Sequence, residues 1–146
     1  MSRTMRTLIC LMMSMMMILT MNIWGCSAVS AEETSVQPRY NYTGYTSTSL
    51  SITTAGTARC FADAEGYQDI VTKVHIEMKL QQYLALQWTT VGAWTGTFND
   101  YYGALSKTKA LTSSGNYRVK AVFTVYSGSN SEKITSYSPE RYYTRP

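Results

Sequence analysis

Ten consecutive residues, Tyr117 to Tyr126, restrict this chain to very few folds. Positions 117, 119, 121, 123 and 125 are Tyr, Val, Ala, Phe and Val, while 118, 120 and 124 are Arg, Lys and Thr. A period of two sends one set into a core and the other toward water, as in a β-strand with one buried face. Gly115-Asn116 before the run and Ser127 to Asn130 after it are turn formers, so the strand is bracketed at both ends. So long and regular a strand is expected at the centre of its sheet.

The rest of the chain reads the same way. Leu50 and Ile52 open a short strand and Ala55-Gly56 turn it. From Thr57 to Ala64, Ala58, Cys60 and Ala62 alternate with Arg59, Phe61 and Asp63, with the inward face left open. Ile70 to Leu80 sets Val74, Ile76, Met78 and Leu80 against Lys73, His75, Glu77 and Lys79. On a helix those apolar residues would spread around the circumference, so a strand is favoured and His75 falls on its polar face. Gln81 to Gln87 is expected to turn the chain. Trp88 and Trp94 share parity in the next strand, which makes both core anchors, or else an open aromatic platform; Val91 falls on the other face unless a bulge intervenes. Ala104 to Thr112 carries Lys107 and Lys109 in poor alternation, as a charged edge strand would. Lys133 to Tyr137 is the hairpin partner of the opening strand, and Pro139 reduces the remaining residues to a tail.

About seven strands with no helical periodicity indicate an all-β, antiparallel β-sandwich of immunoglobulin or fibronectin-III-like kind; a small closed barrel is the alternative. Tyr117 stands where a tyrosine corner would bond back to the preceding loop, with Val119 and Phe123 in the core.

The first 31 residues differ in kind. Arg3 and Arg6 precede an uncharged run from Leu8 to Trp24, eight of the nine methionines lie before residue 22, and Val29-Ser30-Ala31 supplies small residues for cleavage. Charge, apolar run and small residues in that order describe a secretory signal peptide spanning 1–31. Two alternatives stay open: retention of the segment as a membrane anchor, and lipidation at Cys26, since Ile23-Trp24-Gly25-Cys26 loosely resembles a bacterial lipoprotein signal. The expected organisation is the leader, a polar arm over 32–48, and one β-sandwich domain over 49–146.

Cleavage leaves 115 residues, enough for a two-layer core. Of thirteen Lys and Arg, two leave with the leader, so eleven stand against nine acids, a net +2. No Lys/Arg cluster exists, which argues against nucleic-acid binding. Cys60 is the sole cysteine of the mature region and is expected to be a small buried hydrophobe, so no internal disulfide is possible there.

No catalytic set is evident, and neither a metal nor a cofactor is expected. A Cys60–His75 pair would need adjoining strands pointing the same way, whereas one residue reads as buried and the other as exposed. Zinc lacks its ligands, and the three acids between Asp63 and Asp69 lack the spacing of a calcium loop. Tyrosine is the notable excess: all twelve lie beyond the leader. Tyr40, Tyr42, Tyr45, Tyr101, Tyr102, Tyr142 and Tyr143 sit outside the strong strands and are the candidate ligand-binding residues. Exposed Tyr offers a rigid amphipathic surface for sugars or proteins, although Tyr also simply suits half-buried sheet positions.

Leu80-Gln81 followed by Trp88, Val91 and Trp94, then Tyr117-Arg118-Val119-Lys120-Ala121 and a hairpin ending in Thr135-Ser136-Tyr137, resemble a group of small secreted proteins of Firmicutes-type Gram-positive bacteria. The resemblance spans about Thr57 to Tyr143. It implies fold and export, and carries no activity.

The expectation is a non-enzymatic, secreted or cell-envelope binding or adhesion module that meets a glycan or protein at the cell surface. No membrane contact is expected after leader removal unless Cys26 is lipidated. A self-associating matrix protein and a small secreted toxin or antimicrobial are the alternatives.

Overall fold

The computed structural model describes residues 40–146; the leader, its cleavage after Ala31 and the lipidation of Cys26 lie outside the described residues. Eight antiparallel strands make up the described chain: β1 (Thr43–Ile52), β2 (Thr57–Gly66), β3 (Lys73–Leu84), β4 (Gln87–Phe98), β5 (Tyr102–Ala110), β6 (Gly115–Ser127), β7 (Asn130–Tyr137) and β8 (Arg141–Tyr143). They form a three-stranded sheet, β1-β2-β5, and a five-stranded sheet, β4-β3-β6-β7, with β8 also paired to β6. The fold is an all-β sandwich. Among the described residues no helix is long and apolar enough to cross a membrane.

Each sheet contributes one alternating set to the core. From β2 come Ala58, Cys60, Ala62 and Ala64, from β3 Val74, Ile76, Met78 and Leu80, and from β6 Tyr117, Val119, Ala121, Phe123 and Val125. The alanines of β2 leave room for the larger side chains opposite, the interdigitation that dense packing requires. β6 is central, between β3 and β7. Tyr117 is buried, and its hydroxyl donates to the Ser113 carbonyl at 2.7 Å, tying the β5–β6 loop to the strand. Gln82, also buried, holds the same loop by donating to Ser113 Oγ and the Ser114 carbonyl at 2.9 and 3.2 Å. At the opposite end the Glu132 carboxylate of β7 accepts from the backbone amides of Asn41 and Thr43 at 2.7 and 3.1 Å, clamping one sheet to the other.

Four departures from the sequence reading have physical causes. β1 starts at Thr43, inside the stretch assigned to a polar arm. Its alternation is carried by Ser and Thr, which suit a strand without announcing one. β3 and β4 continue through the expected 81–87 turn, which shrinks to Ala85-Leu86, both in the left-handed region at φ 48° and 65°. Such a two-residue turn normally takes Asn or Gly, and other residues there cost about 1–2 kcal/mol each. The chain beyond Pro139 is not a loose tail, because Tyr143 is buried and packs under Gly56. Gly56 has φ 79°, and a Cβ there would run into the Tyr143 ring. Ser138 makes this continuation possible: its hydroxyl accepts from the Val119 amide and its own amide donates to the Val119 carbonyl, both at 2.9 Å. Those bonds hold the segment to β6 just before Pro139, which has no amide proton to give.

The fourth departure is a β-bulge. Leu80 pairs with Gly92 but Gln81 pairs with Thr90, so Val91 is an extra residue in β4. An extra residue resets the pleat.

Candidate binding surface

The bulge decides where the tryptophans go. Trp94 pairs with inward Met78 and packs against the core, whereas Trp88 pairs with Tyr83 on the outer face of the five-stranded sheet. The equal parity of Trp88 and Trp94 in sequence therefore does not place both in the core. One anchors the interior and the other joins an external cluster.

That cluster forms across four strands. Arg118 projects outward from β6, opposite Gln81, and its Nε donates to Gln81 Oε1 at 3.0 Å. Its guanidinium carbon lies 4.1 Å from the Trp88 ring centroid and 4.5 Å from that of Tyr137 on β7. Tyr83 meets Trp88 with centroids 5.2 Å apart at 55°, and Lys120 Nζ is 5.8 Å from Tyr137. Ring faces are electronegative, so a cation over each is held at about 0.5–1 kcal/mol at exposed sites. Gln81 lies beneath this layer and is buried although it points outward. Among the described residues no carboxylate pairs with Arg118, Lys120 or Lys79; the single close ionic approach is His75 Nε2 to Glu77 at 4.0 Å. The result is an aromatic surface carrying cations that form no salt bridge among the described residues.

The candidate tyrosines do not gather into one site. Tyr143 is buried, and Tyr42 and Tyr101 are partly buried and pack against the core. Tyr45 and Tyr102 are exposed and flank Glu65 on the outer face of the three-stranded sheet. Tyr40 is exposed at the start of the described chain. Tyr142, 68 % exposed, pairs with Asn116 and so lies on the outer face of the five-stranded sheet, at the end nearest Tyr83. Tyr83 and Tyr137, which complete the external cluster, are not among the candidates drawn from the sequence, because Tyr83 falls in the expected 81–87 turn and Tyr137 counts there only as the end of a hairpin strand. Gly92 beside Val91 was the one available signal, since a glycine inside a strand often marks a bulge.

Among the described residues, Cys60 and His75 are not brought together. Cys60 faces the core from one sheet while His75 faces outward from the other, its Nδ1 2.8 Å from Thr97 Oγ1. Burial pushes the Cys60 thiol up to about 11, so at neutral pH it is protonated and a poor nucleophile. Among the described residues no three His, Cys, Asp or Glu side chains lie together as a metal set. Asp63 and Glu65 fall within β2 rather than in a loop. A hollow of about 370 Å³ beside the β1–β2 turn is lined by Ile52, Thr53, Thr54, Tyr142, Tyr143, Thr144 and Pro146, and contains no acid or base of ordinary catalytic use. Stacking, hydrogen bonding and attraction of anions are what these surfaces can do. No family model matches the chain, and no curated protein sequence matches it.

Proposed function

We propose that this protein is a non-enzymatic binding or adhesion module that acts outside the cell or in its envelope. In this reading it has an immunoglobulin-like or fibronectin-III-like sandwich and is related to the small secreted Firmicutes-type proteins that its sequence resembles. The three-plus-four arrangement of β1-β2-β5 and β4-β3-β6-β7, with Tyr117 tethered to the loop before its strand, supports the choice of fold type. The N-terminal leader pattern supports export.

The observation that carries the function is the Trp88–Arg118–Tyr137 stack. A guanidinium within 4.5 Å of two ring centroids, pinned through Nε and lacking a carboxylate partner among the described residues, is a pre-organised receptor for an anionic group on a ligand. The exposed rings of Tyr83 and Tyr137 add stacking area at little entropic cost. Screening the protein on a glycan array and against whole bacterial cells tests the reading. Binding that is lost in both Trp88→Ala and Arg118→Gln is expected; no binding in either screen overturns it.

A further inference from the structure

The β3–β4 hairpin ends in the most exposed large apolar residue of the described chain. Leu86 is 88 % exposed and Leu84 44 %, and the two-residue turn between β3 and β4 is Ala85-Leu86 in left-handed backbone. Asn-Gly would form that turn without strain and would be hydrated. A strained turn that displays leucine breaks two local rules at once, and such breaks collect at functional sites.

The polarity behind the tip is layered. Leu84, Ala85 and Leu86 come first, and Tyr83 and Trp88 are the next pair back along the hairpin. Arg118 lies level with Gln81, a further two residues back. At about 3.3 Å per residue, the Tyr83–Trp88 pair stands roughly 5–10 Å behind the turn and the Arg118 backbone about 13–17 Å behind it, with the guanidinium reaching to 4.1 Å from the Trp88 ring centroid. An aliphatic tip backed by amphipathic rings with a cation beside them suits the step from acyl boundary to headgroup phosphate. From Met78 to Phe98 there is no acidic residue. The acids are segregated along the sandwich: Glu65, Asp69, Asp100 and Glu132 belong to the far end, together with Lys73 and Lys133, whereas Arg145 joins the tip end through its bond to the Thr112 carbonyl. Glu140, before β8, is the one acid near the tip half.

We propose that the β3–β4 hairpin docks on an anionic lipid bilayer, with Leu84 and Leu86 entering the acyl boundary, Trp88 and Tyr83 at the headgroup level, and Arg118 on lipid phosphate. This rests on the binding-module reading and names its partner. Gln82 is the last β3 residue paired with β6, so from Tyr83 to the Ala85-Leu86 turn the hairpin continues as two strands alone.

The test is co-sedimentation with phosphatidylcholine vesicles, with and without 30 mol % phosphatidylglycerol. All variants carry the same N-terminus as the parent protein, so any leader contribution cancels. Partitioning is expected to rise at least tenfold with the anionic lipid, and to fall about tenfold or more in Leu84→Ser/Leu86→Ser. Arg118→Gln is expected to bind about fivefold more weakly and to lose part of its dependence on anionic lipid. Brominated lipid should quench Trp88 and spare Trp94, as read from Trp88→Phe and Trp94→Phe. Thermal melting of each variant establishes that the fold persists. Equal partitioning of parent and Leu84→Ser/Leu86→Ser overturns the proposal, as does concentration-dependent self-association abolished by that double variant, which would make a second copy the occupant. Failure on vesicles with retained, Arg118-dependent binding to whole cells removes the bilayer and leaves the binding module standing; failure of both removes both.

Discussion

The two outer faces of the sandwich obey one rule of alternation and use it to opposite ends. Across β1-β2-β5, outward rows read Ser47–Asp63–Ala104, Ser49–Phe61–Ser106 and Ser51–Arg59–Thr108. Most are short and hydroxylated; Phe61, Arg59 and the row Tyr45–Glu65–Tyr102 interrupt them, yet among the described residues no cation lies over a ring on this face. Across β4-β3-β6-β7 the rows include Lys79–Lys120–Tyr137, Gln81–Arg118 and Tyr83–Trp88, whose long side chains lie over one another. Both faces are equally compatible with the core, because folding constrains only the inward set. The outer set is free to carry something else, and among the described residues only the five-stranded face lays cations over rings.

Substitutions put this contrast to the test. The largest effect belongs to neither outer face: Phe123→Ala, in the centre of the core, is expected to cost about 3–5 kcal/mol in urea unfolding. Cys60, on the inward side of the quiet sheet, gives a pH signature. Its thiol is raised by burial to about 11, so between about pH 9 and 11 the unfolded chain releases a proton that the folded chain keeps. Stability therefore declines as pH rises through that window, by at most about 1.4 kcal/mol per unit, and a Cys60→Ala chain should lack this component. Tyr117→Phe removes the bond to the Ser113 carbonyl and is expected to cost about 1–2 kcal/mol. Arg118→Gln should cost less than about 1 kcal/mol of stability while weakening binding about fivefold or more. Ser49→Ala, on the other face, should change stability by about 0.5 kcal/mol or less and leave binding intact.

The fold was legible because the core of β3 and β6 is written in strict alternation and because Gly and Asn mark the ends of β6. The binding surface was not, and the reason is geometric. A bulge adds a residue whose presence shows only in cross-strand pairing, so Trp88 and Trp94 share parity along the sequence and face opposite ways in the sheet. Consecutive Gln81-Gln82 reads as a turn, yet both are buried, one beneath Arg118 and the other against the β5–β6 loop. The true turn, Ala85-Leu86, contains neither glycine nor asparagine and so carried no signal. Arg118 and Lys120 were visible as an outward stripe, but with a net charge of only +2 after leader removal they read as a solvated face. What distinguishes them is the pair of rings brought alongside by strands distant in sequence.

One paired measurement separates the two faces, because each carries an arginine. Arg118 and Arg59 can both be changed to Gln, altering net charge identically, and the two variants titrated against whole bacterial cells. If the Trp88–Arg118–Tyr137 face makes the contact, Arg118→Gln loses most of its binding while Arg59→Gln, exposed on the quiet face, binds like the parent. Equal losses in the two variants would mean that overall charge, rather than this aromatic and cationic face, holds the ligand, and would overturn the assignment.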